Sequence, residues 1–139
     1  MKVSDIMTKI IKTSSHATIS EAAKLMDSKN IGSLLVEEDS RITGIITERD
    51  ILKKIVAKDK DPRTTSIKEV MRAPIITISS DQSIEEANDI MIKNQIRRLP
   101  VESAGTITGM ITSRDVSKNL KFLLGRKLTS YNRTEYKKD

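Results

Sequence analysis

The sequence predicts an α+β protein built from two copies of a strand-helix-strand-strand-helix unit. Residues 44–50 read Gly-Ile-Ile-Thr-Glu-Arg-Asp and residues 109–115 read Gly-Met-Ile-Thr-Ser-Arg-Asp, so one seven-residue pattern returns 65 positions later. Ordered self-similarity at a constant spacing indicates a duplicated structural unit. Three shorter matches precede the pattern in the same order, at spacings of 64 or 65 residues: 5–7 with 69–71, 19–26 with 84–91, and 31–36 with 96–101.

Each unit carries an amphipathic helix with its own start signal. Thr18 and Glu21 have the spacing of a capping box, in which a hydroxyl and a carboxylate satisfy free backbone N–H groups, and Ser83 and Glu86 repeat it. Apolar residues then follow the i, i+3, i+4, i+7 spacing of one buried face: Ile19, Ala22, Ala23 and Met26, and Ile84, Ala87 and Met91. The sequence therefore predicts helices over residues 19–29 and 84–94.

Two short apolar runs after each helix predict a β-hairpin. The paired runs are Ser33–Val36 with Ile42–Thr47, and Leu99–Val101 with Ile107–Thr112; the residues between them are turn-like. Gly44 and Gly109, in the second strands, are expected to permit close backbone approach. Shorter strands are predicted ahead of the helices, at Ile10–Thr13 and Ile75–Ile78.

A second helix is predicted to follow each hairpin. After Thr47 the apolar residues of one helix side are Ile51, Leu52, Ile55 and Val56. After Thr112 they are Val116, Leu120, Leu123 and Leu124. The charged, proline-containing segment Lys58–Arg63 is predicted to be an exposed link between the units.

Length and composition favour two soluble units that fold together. The chain has 139 residues, 37% hydrophobic and 32% charged, as in ordinary globular proteins. A unit of about 60 residues buries only ~60% of its unfolded surface and is marginal alone. The predicted boundaries are 1–61, 62–122 and a basic tail at 123–139. Because no long apolar run or apolar signal segment is present, we expect a cytoplasmic protein with no membrane partner.

Positive charge is concentrated near the C-terminal end. Residues 117–139 hold 7 Lys and Arg against 2 Asp and Glu, whereas residues 1–116 hold 18 against 17. All three aromatic residues lie in this segment too, so the body lacks the aromatic platforms on which RNA-reading domains stack bases. The tail is either a solvated terminus or an arm that binds nucleic acid, an acidic partner or a second copy of the protein.

The sequence contains no recognisable catalytic or metal-binding arrangement. It has no Cys and one His, His16, which lies in a polar segment and is expected at the surface. No phosphate loop of the Gly-x-x-x-x-Gly-Lys type and no nucleophile elbow occurs. We therefore expect no catalytic residue, no metal site, no tightly bound cofactor and no enzymatic activity.

In order and spacing, these elements resemble a tandem pair of CBS domains, also called a Bateman module. The resemblance covers residues 1 to about 122. It implies two β-α-β-β-α units that are related by a pseudo-twofold axis and packed through their sheets, often within a disc-shaped homodimer. The matching stretches are Ser4–Met7 and Lys68–Met71, Glu21–Met26 and Glu86–Met91, Arg98–Val101, and both Gly-x-x-Thr-x-x-Asp patterns.

The resemblance also implies a regulatory ligand of the adenosine type, AMP, ADP, ATP or S-adenosylmethionine, in a cleft between the units. Asp50 and Asp115 are the candidates for the ribose hydroxyls, because a carboxylate accepts charge-assisted hydrogen bonds worth about 1.5–3 kcal/mol each. Thr47 and Thr112, at the helix starts, are candidates for phosphate. Thr-x-x-Asp is also an ordinary helix cap, so the pattern alone leaves both interpretations open.

Basic residues make the two units unequal. The candidates for phosphate are Arg97, Arg98 and Arg114 in the second unit and Arg49 in the first. We therefore expect the Asp115 site to prefer phosphorylated nucleotides, and the Asp50 site to be weaker or to accept a less anionic ligand. The candidates for the adenine pocket are Ile11, Thr13 and Ile31, and Ile75, Thr77 and Ile96; simple core packing is the alternative for the isoleucines.

The sequence thus predicts a stand-alone regulatory sensor. Its expected partners are a second copy of itself, an adenine nucleotide and a regulated protein that the sequence does not identify. Two alternatives stay open: binding of nucleic acid or a protein through the basic tail, and a structural dimerisation module with empty clefts.

Overall fold

The computed structural model describes residues 1–120, and their mixed α and β structure confirms the predicted fold class. The elements in chain order are α1 (Val3–Ile6), β1 (Lys12–Ser14), α2 (Ile19–Lys29), β2 (Ser33–Glu38), β3 (Arg41–Thr47), α3 (Glu48–Ile51) with a π-helical turn (Leu52–Val56), a 3₁₀ turn (Ile67–Glu69), β4 (Ile78–Ser79), α4 (Ile84–Asn94), β5 (Arg98–Ser103), β6 (Thr106–Thr112) and α5 (113–120). The strands form two three-stranded sheets, β1-β2-β3 and β4-β5-β6, and each sheet combines a parallel and an antiparallel pair.

The helices α2 and α4 begin and end at the predicted residues. At α4 the predicted capping box is complete: the Ser83 hydroxyl accepts from the Glu86 amide at 3.1 Å, and the Glu86 carboxylate accepts from the Ser83 amide at 3.4 Å. At α2 the Thr18 hydroxyl accepts from the Glu21 amide at 3.2 Å, but the Glu21 carboxylate accepts no hydrogen bond from the Thr18 amide, so this capping box is incomplete. Cap chemistry and apolar spacing together fix both helices.

The leading strands lie further along the chain than predicted. They occupy Lys12–Ser14 and Ile78–Ser79 instead of Ile10–Thr13 and Ile75–Ile78. Two residues pair in β4 but three in β1.

A proline explains the shorter β4. The Leu35 amide donates to the Ile11 carbonyl at 3.0 Å and extends the contact between β1 and β2. Pro100 occupies the position of Leu35 in β5 and has no N–H to donate. The strand therefore starts only at Ile78, and Thr77 lies outside the sheet.

The second helix of the first repeat differs from the predicted regular helix. The Ala57 amide donates to the Leu52 carbonyl at 2.9 Å, a bond to the fifth residue back that makes a π turn. Ile55 is buried, but Leu52 and Val56 are 58% and 62% exposed. The prediction of one common apolar side is therefore wrong at these two residues. In α5, Val116 is buried and Leu120 packs against the same core, while Leu123, Leu124 and the predicted tail lie outside the described residues.

The two compact units exchange their leading segments relative to the sequence repeats. One unit is Lys9–Ile76; the other combines Met1–Thr8 with the chain from Thr77 onward. Thr8 forms an antiparallel bridge to Met110, and Arg72 forms the equivalent bridge to Ile45. Each hairpin is therefore completed by a segment that precedes the other repeat. The predicted boundaries, 1–61 and 62–122, follow the repeats of the sequence.

Candidate functional site

Thr47 and Asp50 form a reciprocal cap at the start of α3. The Thr47 hydroxyl accepts from the Asp50 amide at 3.2 Å. Asp50 Oδ2 accepts from both the Thr47 amide and the Thr47 hydroxyl, each at 3.0 Å. The Asp50 side chain is only 1% exposed. The helix-cap interpretation of Thr-x-x-Asp therefore holds in this unit.

Two cations from outside the repeated pattern face the same carboxylate. Arg72 donates from Nε to Asp50 Oδ1 at 3.0 Å, and Lys54 Nζ lies 3.5 Å from the same oxygen. Lys54 also donates to the Val70 carbonyl at 3.0 Å. The two basic side chains are about half exposed, at 47% and 45%. A buried anion is thus paired with cations that reach it from the surface.

The electrostatic environment keeps Asp50 ionised. Burial is the largest single influence and raises the pKa of Asp50, because it disfavours the charged form. The hydrogen bonds from Thr47 and the contact with Arg72 act in the opposite direction, and together they hold the pKa below its ordinary value.

Thr112 and Asp115 form the corresponding cap at the start of α5, with fewer partners. Asp115 Oδ2 accepts from the Thr112 amide at 3.0 Å, and the Thr112 hydroxyl accepts from the Asp115 amide at 3.1 Å. The Asp115 side chain is half-buried. Within residues 1–120 it forms no ion pair, and its Oδ1 receives no hydrogen bond. Asp115 therefore retains acceptor capacity that Asp50 has used.

The residues that create this difference occupy equivalent positions in the repeats. Arg72 corresponds to Thr8, whose hydroxyl donates to the Met110 carbonyl at 3.3 Å. Lys54 corresponds to Asn119, which donates to the Asp115 carbonyl oxygen at 2.7 Å. Arg72 and Lys54 were not among the site residues predicted from the sequence. An alignment of the two repeats could have identified them, because the 64- and 65-residue offsets place Arg72 opposite Thr8 and Lys54 opposite Asn119, and both of these partners are neutral.

Three of the four arginine candidates lie in the unit of Asp115 and one in the unit of Asp50. The Ser113 amide donates to the Arg97 carbonyl at 2.8 Å, so Arg97 lies beside the first turn of α5. In the other unit the equivalent bond runs from the Glu48 amide to the carbonyl of Gly32, which has no side chain. Arg97, Arg114 and Arg49 are exposed, Arg98 is half-buried, and none of the four forms an ion pair with another residue in the described part of the chain.

The candidates for an adenine pocket are divided between the two compact units. Ile11 and Ile31 pack against the core of Lys9–Ile76, and Ile96 packs against the core of the other unit. The structure differs from the sequence grouping at Ile75, which belongs to the compact unit of Asp50 and not to that of Ile96. Thr13 lies in β1 and Thr77 just before β4, and both are half-buried.

Residues 1–120 contain no group of His, Cys, Asp and Glu that could hold a metal ion, and His16 is exposed. No helix in the same range is both long and apolar enough to cross a membrane.

Comparisons with known proteins point to one family. The CBS domain model matches residues 3–57 and 67–121. The CBS domain-containing protein YhcV of Bacillus subtilis is 35% identical over 118 residues, which are 84% of this chain and 84% of that protein.

Two solved structures share the fold. The CBS domain pair of protein MJ0100, in complex with 5-methylthioadenosine and S-adenosyl-L-methionine, has a TM-score of 0.78 and 31% identity and covers 88% of this chain and 97% of that chain. The hexameric CBS-CP12 protein from bloom-forming cyanobacteria has a TM-score of 0.81 and 30% identity, with coverages of 88% and 73%.

Proposed function

The chain belongs to the CBS-domain family, and we propose on that premise that it is a non-catalytic regulatory module that binds an adenosine-type ligand. The proposed ligands are AMP, ADP, ATP and S-adenosylmethionine. One observation carries the proposal: the Asp115 carboxylate is fixed at a helix start by Thr112, while its second oxygen receives no bond from the described residues. The adenosine compounds bound to the CBS pair of MJ0100 support this ligand class.

In this proposal Asp115 recognises the ribose. A carboxylate offers about four acceptor positions, and the Thr112 amide uses one of them. Two vicinal hydroxyls can donate to the remaining positions through charge-assisted hydrogen bonds. The hydrogen bond from the Thr112 amide already restricts the rotation of the Asp115 side chain, so this side chain loses little conformational entropy when a ligand binds.

Phosphate groups would be held at the start of α5. The Thr112 hydroxyl accepts from the Asp115 amide, which leaves its own hydrogen available for a phosphate oxygen. Arg97 approaches this helix start through the bond from the Ser113 amide to its carbonyl, and Arg114 lies in the first turn of the helix. Guanidinium groups and a helix N-terminus both favour an anion. Arg98 is a further candidate for the same role.

The Asp50 site would be the weaker of the two. Its carboxylate already accepts from Thr47 and Arg72, and the residue beside its helix start is Gly32 rather than an arginine. Thr47 and Arg49 are its remaining phosphate candidates.

Regulation requires that the ligand prefer one conformation of the module over another. We propose that the protein acts as a homodimer in the cytoplasm and passes this preference to a partner protein. The hexameric assembly of the CBS-CP12 relative supports self-association in this fold.

A thermal-shift screen tests the proposed function. Wild-type protein is heated with saturating AMP, ADP, ATP or S-adenosylmethionine, and Asp115→Ala is measured in parallel. A ligand at about 100 times its dissociation constant should stabilise the wild type by roughly 2.7 kcal/mol. The same concentration should stabilise Asp115→Ala far less. Absence of a shift with all four ligands would favour a structural module with empty sites.

The basic C-terminal segment motivates one alternative, binding of nucleic acid or an acidic protein. Residues 117–139 carry a net charge of +5, and binding through them should weaken steeply with salt. Deletion of residues 126–139 separates the two functions. Adenosine-ligand binding should survive the deletion, whereas binding of DNA or RNA through the tail should be lost.

A further inference from the structure

We propose that Arg72 determines which repeat accepts a ribose. Its guanidinium occupies the Asp50 oxygen that a ribose hydroxyl would need, whereas Thr8 at the equivalent position leaves Asp115 open. This inference rests on the proposed function and adds to it the residue that makes the two sites unequal.

The contacts at Asp50 leave little room for a competing donor. Arg72 Nε and Lys54 Nζ approach Oδ1 at 3.0 and 3.5 Å. The Thr47 amide and hydroxyl both donate to Oδ2 at 3.0 Å. Three hydrogen bonds and one longer ionic contact therefore surround a carboxylate that offers about four acceptor positions. A ribose diol could bind only by displacing Arg72.

Displacement of Arg72 is unfavourable because Asp50 is buried. The Asp50 side chain is 1% exposed, and the Arg72 guanidinium and the Lys54 ammonium compensate its charge. A ribose that displaced Arg72 would have to offset the loss of this contact, because a buried carboxylate without its partner is unfavourable. Ribose binding is therefore expected to be weaker at Asp50 than at Asp115, where no such contact has to be broken.

Arg72 and Thr8 occupy equivalent positions in the structure as well as in the sequence repeat. Arg72 exchanges backbone hydrogen bonds of 2.9 and 3.0 Å with Ile45, and Thr8 exchanges bonds of 2.9 and 3.0 Å with Met110. Ile45 and Met110 are separated by the 65 residues of the repeat. Arg72 and Thr8 therefore pair with matching residues of the two hairpins, Ile45 and Met110, each two positions ahead of the threonine of its Thr-x-x-Asp pattern. An arginine at position 8 is thus expected to reach Asp115 as Arg72 reaches Asp50.

The test exchanges the two residues and uses AMP as the probe in calorimetric titrations. In an Asp115→Ala background, Arg72→Thr should create AMP binding at least about 10-fold tighter than Asp115→Ala alone shows. Addition of Asp50→Ala should abolish this gain, which would show that it uses the Asp50 carboxylate. Lys54→Asn is the matched control, and it should produce a smaller gain because Lys54 lies further from Asp50.

The reciprocal variant does not disturb the Asp50 unit. Thr8 is exposed, so Thr8→Arg should fold, and it should weaken AMP binding by about 10-fold or more. Circular dichroism melting curves check folding for every variant. Unchanged affinity in Thr8→Arg, with no gain from Arg72→Thr, overturns the inference. In that case the proposed function still holds if wild type binds AMP and Asp115→Ala does not. If neither wild type nor Arg72→Thr binds AMP, ADP, ATP or S-adenosylmethionine, both are overturned.

Discussion

Met71 packs against Gly44 so closely that a Cβ on Gly44 would lie 2.6 Å from Met71 Sδ and 3.0 Å from the Arg72 carbonyl oxygen. Met7 packs in the same way against Gly109, where a Cβ would lie 2.6 Å from Met7 Sδ. The glycine of each repeated pattern thus allows the exchanged leading segment to reach its hairpin. The sequence predicted close backbone approach at these glycines; the groups found there are methionine side chains and, at Gly44, one carbonyl oxygen of the protein itself.

Substitution of these glycines should destabilise the fold. Gly44→Ala forces Met71 to move in a packed region, and overpacking of this kind costs about 1–3 kcal/mol. Chemical denaturation of Gly44→Ala and Gly109→Ala measures the loss. Gly105→Asn is the matched control: its site is open and has a φ of 80°, which Asn tolerates better than other residues with side chains. Stability equal to wild type in both alanine variants would contradict the packing argument.

Truncation of the facing methionine should rescue one glycine variant better than the other. At Gly109 the close atoms all belong to the Met7 side chain, so Met7→Ala removes the clash. At Gly44 the Arg72 carbonyl also lies at 3.0 Å, and Met71→Ala cannot move it. Double-mutant cycles on the two pairs should therefore give the larger favourable coupling for Met7 with Gly109.

Shortening the Val3 side chain should destabilise the second repeat, which lies far from Val3 in the chain. Val3 is fully buried in the core that contains Ile84 and Leu99. Val3→Ala should therefore cost about 2 kcal/mol. Amide hydrogen exchange should show faster opening in α4 and β5 than in α2 and β2. Faster exchange confined to α2 and β2 would contradict the exchange of segments between repeats.

Acid should remove the stabilisation that Asp50 provides. Its pKa is lowered in the folded protein, so the unfolded state binds more protons near the ordinary pKa of about 3.9. The contribution is fully present above that pH and is lost as pH falls through the lower folded pKa. Unfolding free energies of wild type and Asp50→Asn, measured from about pH 7 downward, should converge in acid. Asp61→Asn is the control at an exposed ion pair: hydrogen bonds from Arg63 also lower the pKa of Asp61, but solvent screens this pair, so the variant should change the dependence less than Asp50→Asn does. A constant difference between wild type and Asp50→Asn at every pH would exclude the linkage.

Phosphate should contribute to binding at the Asp115 site. In an Asp50→Ala variant only that site is intact, so AMP should bind more tightly than adenosine because Arg97 and Arg114 lie near the start of α5. Calorimetric titration compares the two ligands, and Arg97→Gln should reduce the difference. Equal affinities of AMP and adenosine for Asp50→Ala would refute the assignment of these arginines.

Local features of the sequence were sufficient to predict α2 and α4 to the residue. Their caps and apolar spacing act within a few neighbouring residues. The predicted bounds of β1 and β4 were wrong because the pairing of a short strand depends on a distant partner. Pro100, which has no N–H to donate, determines where β4 begins. The exchange of Met1–Thr8 could not be predicted from periodicity, because the buried residues that share a core with Val3 begin at Ile78, far along the chain.

At the candidate site, the sequence likewise predicted the local contacts but not the contact between distant residues. Thr47, Asp50, Thr112 and Asp115 lie together because each pair spans three residues at a helix start. The contact between Arg72 and Asp50 joins residues 22 positions apart, and only the folded hairpin brings them together. The unequal partners of the two aspartates are consistent with the unequal sites inferred from the arginines.

The most direct test is a calorimetric titration of the strongest ligand from the thermal-shift screen into wild type, Asp115→Ala and Asp50→Ala. Loss of two charge-assisted hydrogen bonds should weaken binding to Asp115→Ala by about 100-fold or more, while Asp50→Ala should retain nearly wild-type affinity. Wild-type affinity in a folded Asp115→Ala variant would contradict the central claim that this carboxylate holds an adenosine-type ligand.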